Sequence, residues 1–480
     1  MQQVLEYAVA SLRAVEYELL LFSAFWFILG ALDDFGVDLC WFWLRLTGRG
    51  RDGTISAEEA AAPLAGRAAV LIAAWREAAV IGHTIEHALT VWRQDDFILY
   101  LGCYCNDPAT IAAVIAAAGG DPRVRLVISE TPGPTTKADC LNRVYAALCA
   151  DEQRYRRRFR SLIIHDSEDM VHAAELAVID AALGEADFVQ LPVCPEPHPA
   201  SPWVAGHYVD EFAEAHGKAM VVRDALGAAI PAAGVGCGFS REMIARIARR
   251  RARESGGGSG SAGAGEAGPF AAECLTEDYE LGLLVRREGG RSRFVRVRGE
   301  DGALVATRAY FPASLSASVR QKSRWIHGIA FQGWDRLGWA SGPADLWMAL
   351  RDRRGPLTAI VLACGYVLVV VEGVLGLAAL GGVGVENSVS GVLEAMLRMC
   401  FISFLWRCAF RVVFTTRDHG LVEGVGAIMR IPVANFIAIL AGRRALASYV
   451  ETLLGSAVRW DKTEHEGHPA MGEMARALAR

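Results

Sequence analysis

The stretch Leu357–Leu380 runs for 24 residues with a single charge, Glu372. As a helix rising 1.5 Å per residue it is long enough to cross a hydrocarbon layer of about 30 Å. A membrane helix is therefore expected here, and a purely soluble globule becomes a strained reading. A second apolar run, Leu19–Leu32, resumes after Asp33, Asp34 and Asp38 and continues through Leu46. Glu16 and Glu18 precede it and the bulky Trp41 and Trp43 follow, which is not how a cleaved signal peptide is built. It reads as an uncleaved membrane helix over roughly 14–44 with its aspartates at or near an interface; a buried core helix is the alternative. A third segment, 392–414, is long enough to span but carries Glu394, Arg398, Arg407 and Arg411. Those charges must face protein, each other or a polar cavity. The stretch 425–440 is short, interrupted by Arg430 and Pro432 and flanked by basic residues, so it reads as an interfacial or re-entrant helix.

Basic residues set the orientation. Arg45, Arg49 and Arg51 follow the first helix, Arg351, Arg353 and Arg354 precede the second, and Arg411 and Arg417 close the third, whereas 381–391 holds no Lys or Arg. The middle of the chain is expected in the cytoplasm, with the N-terminus and the 381–391 loop outside. The expected organisation is an N-terminal membrane helix and interface segment (1–48), a cytosolic domain (64–340), membrane helices (341–450, with spans at 357–380 and 392–414) and a cytosolic tail (451–480). A hydrophobic fraction of 52% excludes disorder, and a net charge of −5 argues against nucleic acid as a partner. The eleven cysteines show no CxxC pair, which fits free thiols in the cytosol better than a disulfide framework.

Between 66 and about 310, β-rich runs alternate with helical patterns, as in a mostly parallel α/β sheet. Strands are expected at 68–73, 97–102, 124–129, 161–165 and 187–193, and helices near 79–93, 108–118, 138–149, 172–183 and 203–230. In such sheets a ligand sits off the carboxyl ends of the strands. Trp75-Arg76-Glu77, Asn106-Asp107 and Asp166-Ser167-Glu168-Asp169 fall at those ends. The Gly/Ser/Ala segment 255–268 is expected to be a mobile loop within the domain.

Residues two apart on an extended chain point the same way, so Asp166 and Glu168 could share one cation. Hard carboxylate oxygens beside a diphosphate suit Mg²⁺ or Mn²⁺; a solvated turn or a helix N-cap is the simpler alternative. Thr276-Glu277-Asp278 brings a second acidic group. Asp278 could be a general base, or the trio could simply cap a helix. Lys137, opening a helix after 131–136, could meet phosphates or be a surface lysine. Gln321-Lys322-Ser323-Arg324-Trp325 is either a polar-aromatic group over a ligand or an interfacial anchor. Gly234–Phe239 is glycine-rich but lacks the strand-then-helix setting of a dinucleotide site, and no Walker A, GxSxG, GxGxxG or HExxH sequence occurs.

Taken in order, Val70–Glu77, Asn106-Asp107, Lys137–Asn142, Asp166–Asp169, Thr276–Asp278 and Gln321–Trp325 resemble the processive family 2 glycosyltransferases of the cellulose and hyaluronan synthase type. The resemblance extends over nearly the whole chain. It implies an α/β, GT-A type, Rossmann-like catalytic domain combined with α-helical transmembrane segments in a bacterial inner membrane. It also implies an inverting, metal-dependent hexosyltransferase. Trp75 and Glu77 would lie against the nucleoside of the donor, with Asp107 nearby and Lys137 at the diphosphate. Asp166 and Glu168 match the metal-binding Asp-x-Asp for Mg²⁺ or Mn²⁺, with Asp169 a rival ligand. Asp278 matches the base, with Asp169 or Glu277 the next candidates. Gln321, Arg324 and Trp325 match the group covering diphosphate and acceptor. Ala73 and Arg76 depart from the Pro and Asn usual there. The implied partners are a nucleotide-sugar donor such as a UDP-sugar, a glycan or lipid-linked acceptor, membrane lipid, an outer-membrane export partner and a cyclic-dinucleotide regulator, although no cyclic-dinucleotide-sensing domain is expected before Arg480. Transfer of one sugar to a lipid carrier, and an inactive receptor or scaffold, are the competing functions.

Overall fold

The computed structural model describes residues 2–256, 268–339, 342–383, 390–455 and 467–471. Most of the 255–268 segment, the centre of the 381–391 loop and most of the 451–480 tail, including Trp460-Asp461-Lys462-Thr463, lie outside them. The strands are β1 (Gly53–Ile55), β2 (Ala68–Ala73), β3 (Phe97–Tyr104), β4 (Val124–Ser129), β5 (Ser161–His165), β6 (Phe188–Gln190), β7 (Val193–Pro195), β8 (Cys237–Ser240), β9 (Ser292–Phe294), β10 (Val297–Gly299) and β11 (Thr307–Ala309). Seven of them form one sheet in the order β4-β3-β2-β5-β8-β6-β9. β4, β3, β2 and β5 run parallel, while β8 is antiparallel to both of its neighbours.

Alternation along the central strands explains why the sheet is covered on both faces. Ala69, Leu71, Leu162 and Ile164 point into one buried cluster with Leu141 and Val144 of helix Lys137–Tyr155 and Ile244 of helix Arg241–Gly256. Val70, Ile72, Leu99 and Leu101 point into the other, with Ile81 and Ile85 of helix Ile81–Val91 and Ile179 of helix Glu175–Ala182. From β2 the chain passes outward to β3 and β4, then returns to β5 on the other side. The switch point, where ligands bind in open α/β sheets, therefore lies off the ends of β2 and β5.

Several expected boundaries shift. The 187–193 strand is two strands broken before Pro192, which has no N–H for a ladder. The 203–230 helix is Gly206–Glu214 and Met220–Ala225, joined by a π-helical turn, Ala215–Ala219. Gly234 and Gly236 precede β8, which runs directly into helix Arg241–Gly256, so no glycine turn lies between strand and helix as in a dinucleotide site. β1 pairs with β10 in a separate two-stranded sheet. The eleven cysteines are all unpaired.

Three described helices are long and apolar enough to cross a membrane: Gln2–Leu46, Gly355–Leu380 and Leu421–Leu453. By that measure 421–453 takes the place expected for 392–414. The stretch read as a short, interrupted 425–440 is one continuous helix of 33 residues with Pro432 inside it. Close packing holds it through the proline: Gly424 meets Thr416 and the Val412 carbonyl, Gly442 meets Ala359, and Arg430 forks onto Asp210 at 2.7 and 2.8 Å.

The first helix lies antiparallel to Gly355–Leu380. Asp33 meets Arg354 at 2.9 Å at one level, and Arg13 approaches Glu372 at 3.9 Å at another. The 20 positions between Asp33 and Arg13 make about 30 Å of helix, one hydrocarbon thickness. Helix Gly391–His419 runs parallel to the first helix. Tyr17 bonds Ser390 at 3.3 Å, Cys400 reaches the Ala24 carbonyl at 3.7 Å, and the Trp406 indole donates to Asp38 at 2.8 Å. Arg398 pairs with Glu394, and Arg407 with Glu214. The aspartates of the first helix dock on protein rather than resting at an open interface. Asp33 and Asp34 take Arg351 and Arg354, while fully buried Asp38 meets Lys218 at 2.5 Å.

Candidate active site

A cleft of about 360 Å³ opens at the switch point. Off β2 stand Trp75 and Glu77. Arg76 between them takes a left-handed φ of 56°, a conformation costing an L residue roughly 1–2 kcal/mol. Two bonds hold it there: the Arg76 N–H donates to Asp107 at 2.6 Å and the Glu77 N–H to the Thr110 hydroxyl at 3.0 Å. Asp107 does not line the cleft. Its other oxygen caps helix Pro108–Ala118 through the Thr110 N–H, so it shapes the Trp75 loop from behind. Trp75 packs edge-on to Tyr104 at 5.2 Å.

Off β5 come Asp166, Ser167, Glu168 and Asp169, all on the cleft wall. Lys137, the first residue of its helix behind the Thr136 cap, sets its ammonium 2.5 Å from Asp166. Burial disfavours that charge, but Asp166, Glu277 and Asp278 more than compensate and raise the lysine's pKa. Asp169, weighed as a rival metal ligand, turns inward. One of its oxygens accepts from the Asp166 N–H at 2.9 Å and lies 2.8 Å from the His165 ring, whose other nitrogen is 2.6 Å from buried Glu175. Burial works against a charged His165, yet Glu175 and Asp169 lift its pKa to about 10.

Glu277 and Asp278 open helix Glu277–Arg287 opposite Lys137. Burial, and for Glu277 also the adjacent Asp278, raises both carboxyl pKa values, with Lys137 pulling the other way. Thr276 does not act as the expected side-chain cap. Asp278 accepts from the Tyr279 N–H at 2.7 Å, and Gly234, at φ 78°, presses so close that any Cβ there would collide with the carboxylate. Lys137 also reaches the Gly234 carbonyl at 3.5 Å.

The roof is helix Leu315–Ile326, which contributes Gln321, Arg324 and Trp325. The Gln321 side-chain oxygen is buried with no hydrogen-bond partner among the described residues. Lys322 points away to Glu211. Sequence reasoning missed Phe212, His216, Tyr310 and Phe311, which also line the cleft. Phe212 packs 5.1 Å from Phe311 and 6.3 Å from Trp325. The Ala309–Pro312 run after β11 was the one local signal that could have found the last two. Of the expected site residues, Trp75, Glu77, Lys137, Asp166, Glu168, Glu277, Asp278, Gln321, Arg324 and Trp325 share this cleft, and Asp107 stands behind it.

No group of three or more His, Cys, Asp or Glu side chains able to hold a metal occurs among the described residues. Asp166 and Glu168 offer two carboxylates. That suits a hard cation that takes its remaining ligands from a diphosphate and water.

A mostly parallel sheet with a cleft at its switch point is an α/β architecture of the GT-A type. The chain belongs to the family described as glycosyltransferase like family 2, whose model matches residues 65–328. It is 32% identical over 473 residues to bacteriophage adsorption protein B of Escherichia coli strain K12, covering 93% of this chain and 61% of that protein. Bacteriophage N4 adsorption protein B of Escherichia coli O157:H7 matches equally. The chain thus spans about three fifths, 61%, of the length of these relatives. Among solved structures it is similar to a mannosyltransferase from Pyrobaculum calidifontis in complex with GDP-Man and Mn²⁺, with a TM-score of 0.45, 15% identity, and coverage of 88% of this chain and 99% of that one.

Proposed function

We propose that this chain is a membrane-embedded inverting glycosyltransferase that moves a sugar from a nucleotide-sugar, in particular a UDP-sugar, to a growing exported glycan. The observation that carries this reading is the cleft itself, where Asp166 at the end of β5 and Lys137 at the start of its helix face Glu277 and Asp278 beneath Gln321, Arg324 and Trp325. Trp75 and Glu77 bind the nucleoside, and Lys137 and Arg324 take the diphosphate. The acceptor hydroxyl gives its proton to Asp278 as its oxygen bonds to the anomeric carbon and the bond to the diphosphate breaks. A carboxyl whose pKa is raised toward the working pH suits that task. Asp166 and Glu168 would hold Mg²⁺ or Mn²⁺, which when bound neutralises charge on the leaving group.

The first helix, 355–380 and 391–419 form the membrane layer of this reading, with the catalytic domain in the cytoplasm of the inner membrane. Helix 421–453 is long enough to cross. However, Arg430 is tied to Asp210, and Tyr449 to Asp335 at 3.0 Å. Both partners belong to the catalytic domain, so both ends of the helix stay on its side, and the helix rests on the inner surface.

Purified protein in lipid, incubated with a panel of nucleotide-sugars and Mg²⁺ or Mn²⁺, should release nucleotide from one donor class. Failure to release nucleotide from any donor refutes the reading.

A further inference from the structure

A second cavity, of about 800 Å³ against 360 Å³ for the cleft, lies at the β9 edge of the sheet below the end of the first helix. Its charged lining is six arginines, Arg49, Arg51, Arg286, Arg291, Arg293 and Arg296, against two aspartates. Both aspartates are already used. Asp224 accepts from Arg293 at 3.1 and 3.2 Å and from the Phe294 N–H at 2.9 Å, and Asp52 accepts from Arg296 at 2.9 Å and Arg298 at 2.8 Å. Among the described residues no carboxylate pairs with Arg49, Arg51 or Arg291, and the one nearest Arg286, Asp345, is 3.8 Å away. Gly50, Gly227, Gly289 and Gly290 line the space between and leave it unfilled by side chains.

Guanidinium groups brought round one cavity repel each other unless an anion joins them, and their planar forks match phosphate oxygens in pairs. Basic residues that only flank a membrane helix would explain Arg49 and Arg51. They do not explain Arg286, Arg291 and Arg293, which the catalytic domain contributes from a separate helix, loop and strand. We propose that this cavity binds a phosphate-bearing ligand with two or more negative charges, either a free phosphorylated small molecule or a lipid headgroup. The site is distinct from the cleft yet built on shared elements. Helix Met220–Ala225 shows Met220 to the cleft and Asp224 to the cavity, and helix Glu277–Arg287 carries Glu277 and Asp278 at one end and Arg286 at the other.

The test uses the full chain in discs of neutral phosphatidylcholine, with inorganic pyrophosphate as the probe, calorimetry as the readout and no divalent metal. Arg49→Ala/Arg51→Ala/Arg291→Ala removes three exposed side chains that make no described ion pair, so folding should survive. It should weaken one pyrophosphate site by roughly 10-fold or more. Lys137→Met, which alters the cleft, should leave that site intact. Repeating the measurement in phosphatidylglycerol discs separates the sources. Unchanged affinity points to a free phosphorylated ligand, and loss of pyrophosphate binding in the wild type points to the lipid headgroup. Equal pyrophosphate affinity in the triple variant and the wild type overturns the proposal.

Discussion

Gly234 offers a way to move the proposed base without changing it. At φ 78° it occupies the left-handed region, and a Cβ there would fall well under 3.0 Å from the Asp278 carboxylate. Gly234→Ala therefore has two effects. Strain costs roughly 1–2 kcal/mol of stability for an L residue in that conformation, which is a few degrees in Tm. Separately, ordinary contact begins near 3.4 Å, so Asp278 must retreat by about 1 Å, a misplacement that can cost ~10²-fold in rate. Gly302 separates the two effects, since it has the same φ of 78° and a methyl group added there would meet nothing within 4 Å. Gly302→Ala should lose the same few degrees and keep its turnover. The assay is nucleotide release under single-donor saturation, with thermal unfolding measured in parallel. If Gly234→Ala turns over within twofold of Gly302→Ala, the position of Asp278 does not limit the reaction and the base lies elsewhere.

The remaining expectations bear on the same cleft. Asp278→Asn is nearly isosteric and should lower kcat by about 10²–10⁴-fold with nucleotide affinity changed only a few-fold; near-normal turnover would move the role to Glu277. EDTA should abolish turnover and Asp166→Ala should do the same without unfolding, whereas full activity in EDTA would refute the metal assignment. Because burial raises the pKa of both Glu277 and Asp278, the base should be protonated at a pH where a free carboxylate is already ionised. The acid limb of kcat/KM should therefore lie above the ordinary carboxylate range and rise with pH, and Lys137→Met, by removing the cation that opposes the shift, should push it higher; a limb at the ordinary range contradicts this. Arg430→Met leaves Asp210 buried without its fork, a change worth roughly 3–5 kcal/mol, and should lower Tm clearly; an unchanged Tm would show that this pair does not anchor helix 421–453.

What was legible in the sequence follows from how locally each feature is encoded. β2 and β5 were readable because a strand buried on both faces is a continuous apolar run, and the polar residues after Ala73 and His165 marked where each ended. Helix Arg241–Gly256 was not readable. Its arginine-rich outer face hides the Met243, Ile244 and Ile247 stripe, and the Gly/Ser segment beginning at its end has the composition of a loop. Phe212 and His216 were hidden for another reason, since only the fold brings them to the cleft. Asp107 shows the converse: a correct position in the motif order, but a carboxylate used on backbone N–H groups. In helix 421–453 a local rule misled, because Pro432 suggests a break that tertiary packing overrides.

Helix Gly206–Glu214 joins the long apolar helices to the cleft, and all three of its carboxylates are used for that purpose. Asp210 takes Arg430 of the surface helix, Glu211 takes Lys322 of the roof helix, and Glu214 takes both Lys218 and Arg407 of helix 391–419. Its Phe212 and the following His216 face the cleft, while Lys218, two residues after His216, reaches Asp38 of the first helix. Burying this many ions is favourable only where each is paired, so none of these contacts can be lost singly at low cost. Side chains that line the cleft are thereby tied to the first helix, 391–419 and 421–453 through one short element and the turn that follows it. His216 and Lys218, two positions apart on the π-helical turn that follows it, point to opposite sides, one to the cleft and one to the first helix.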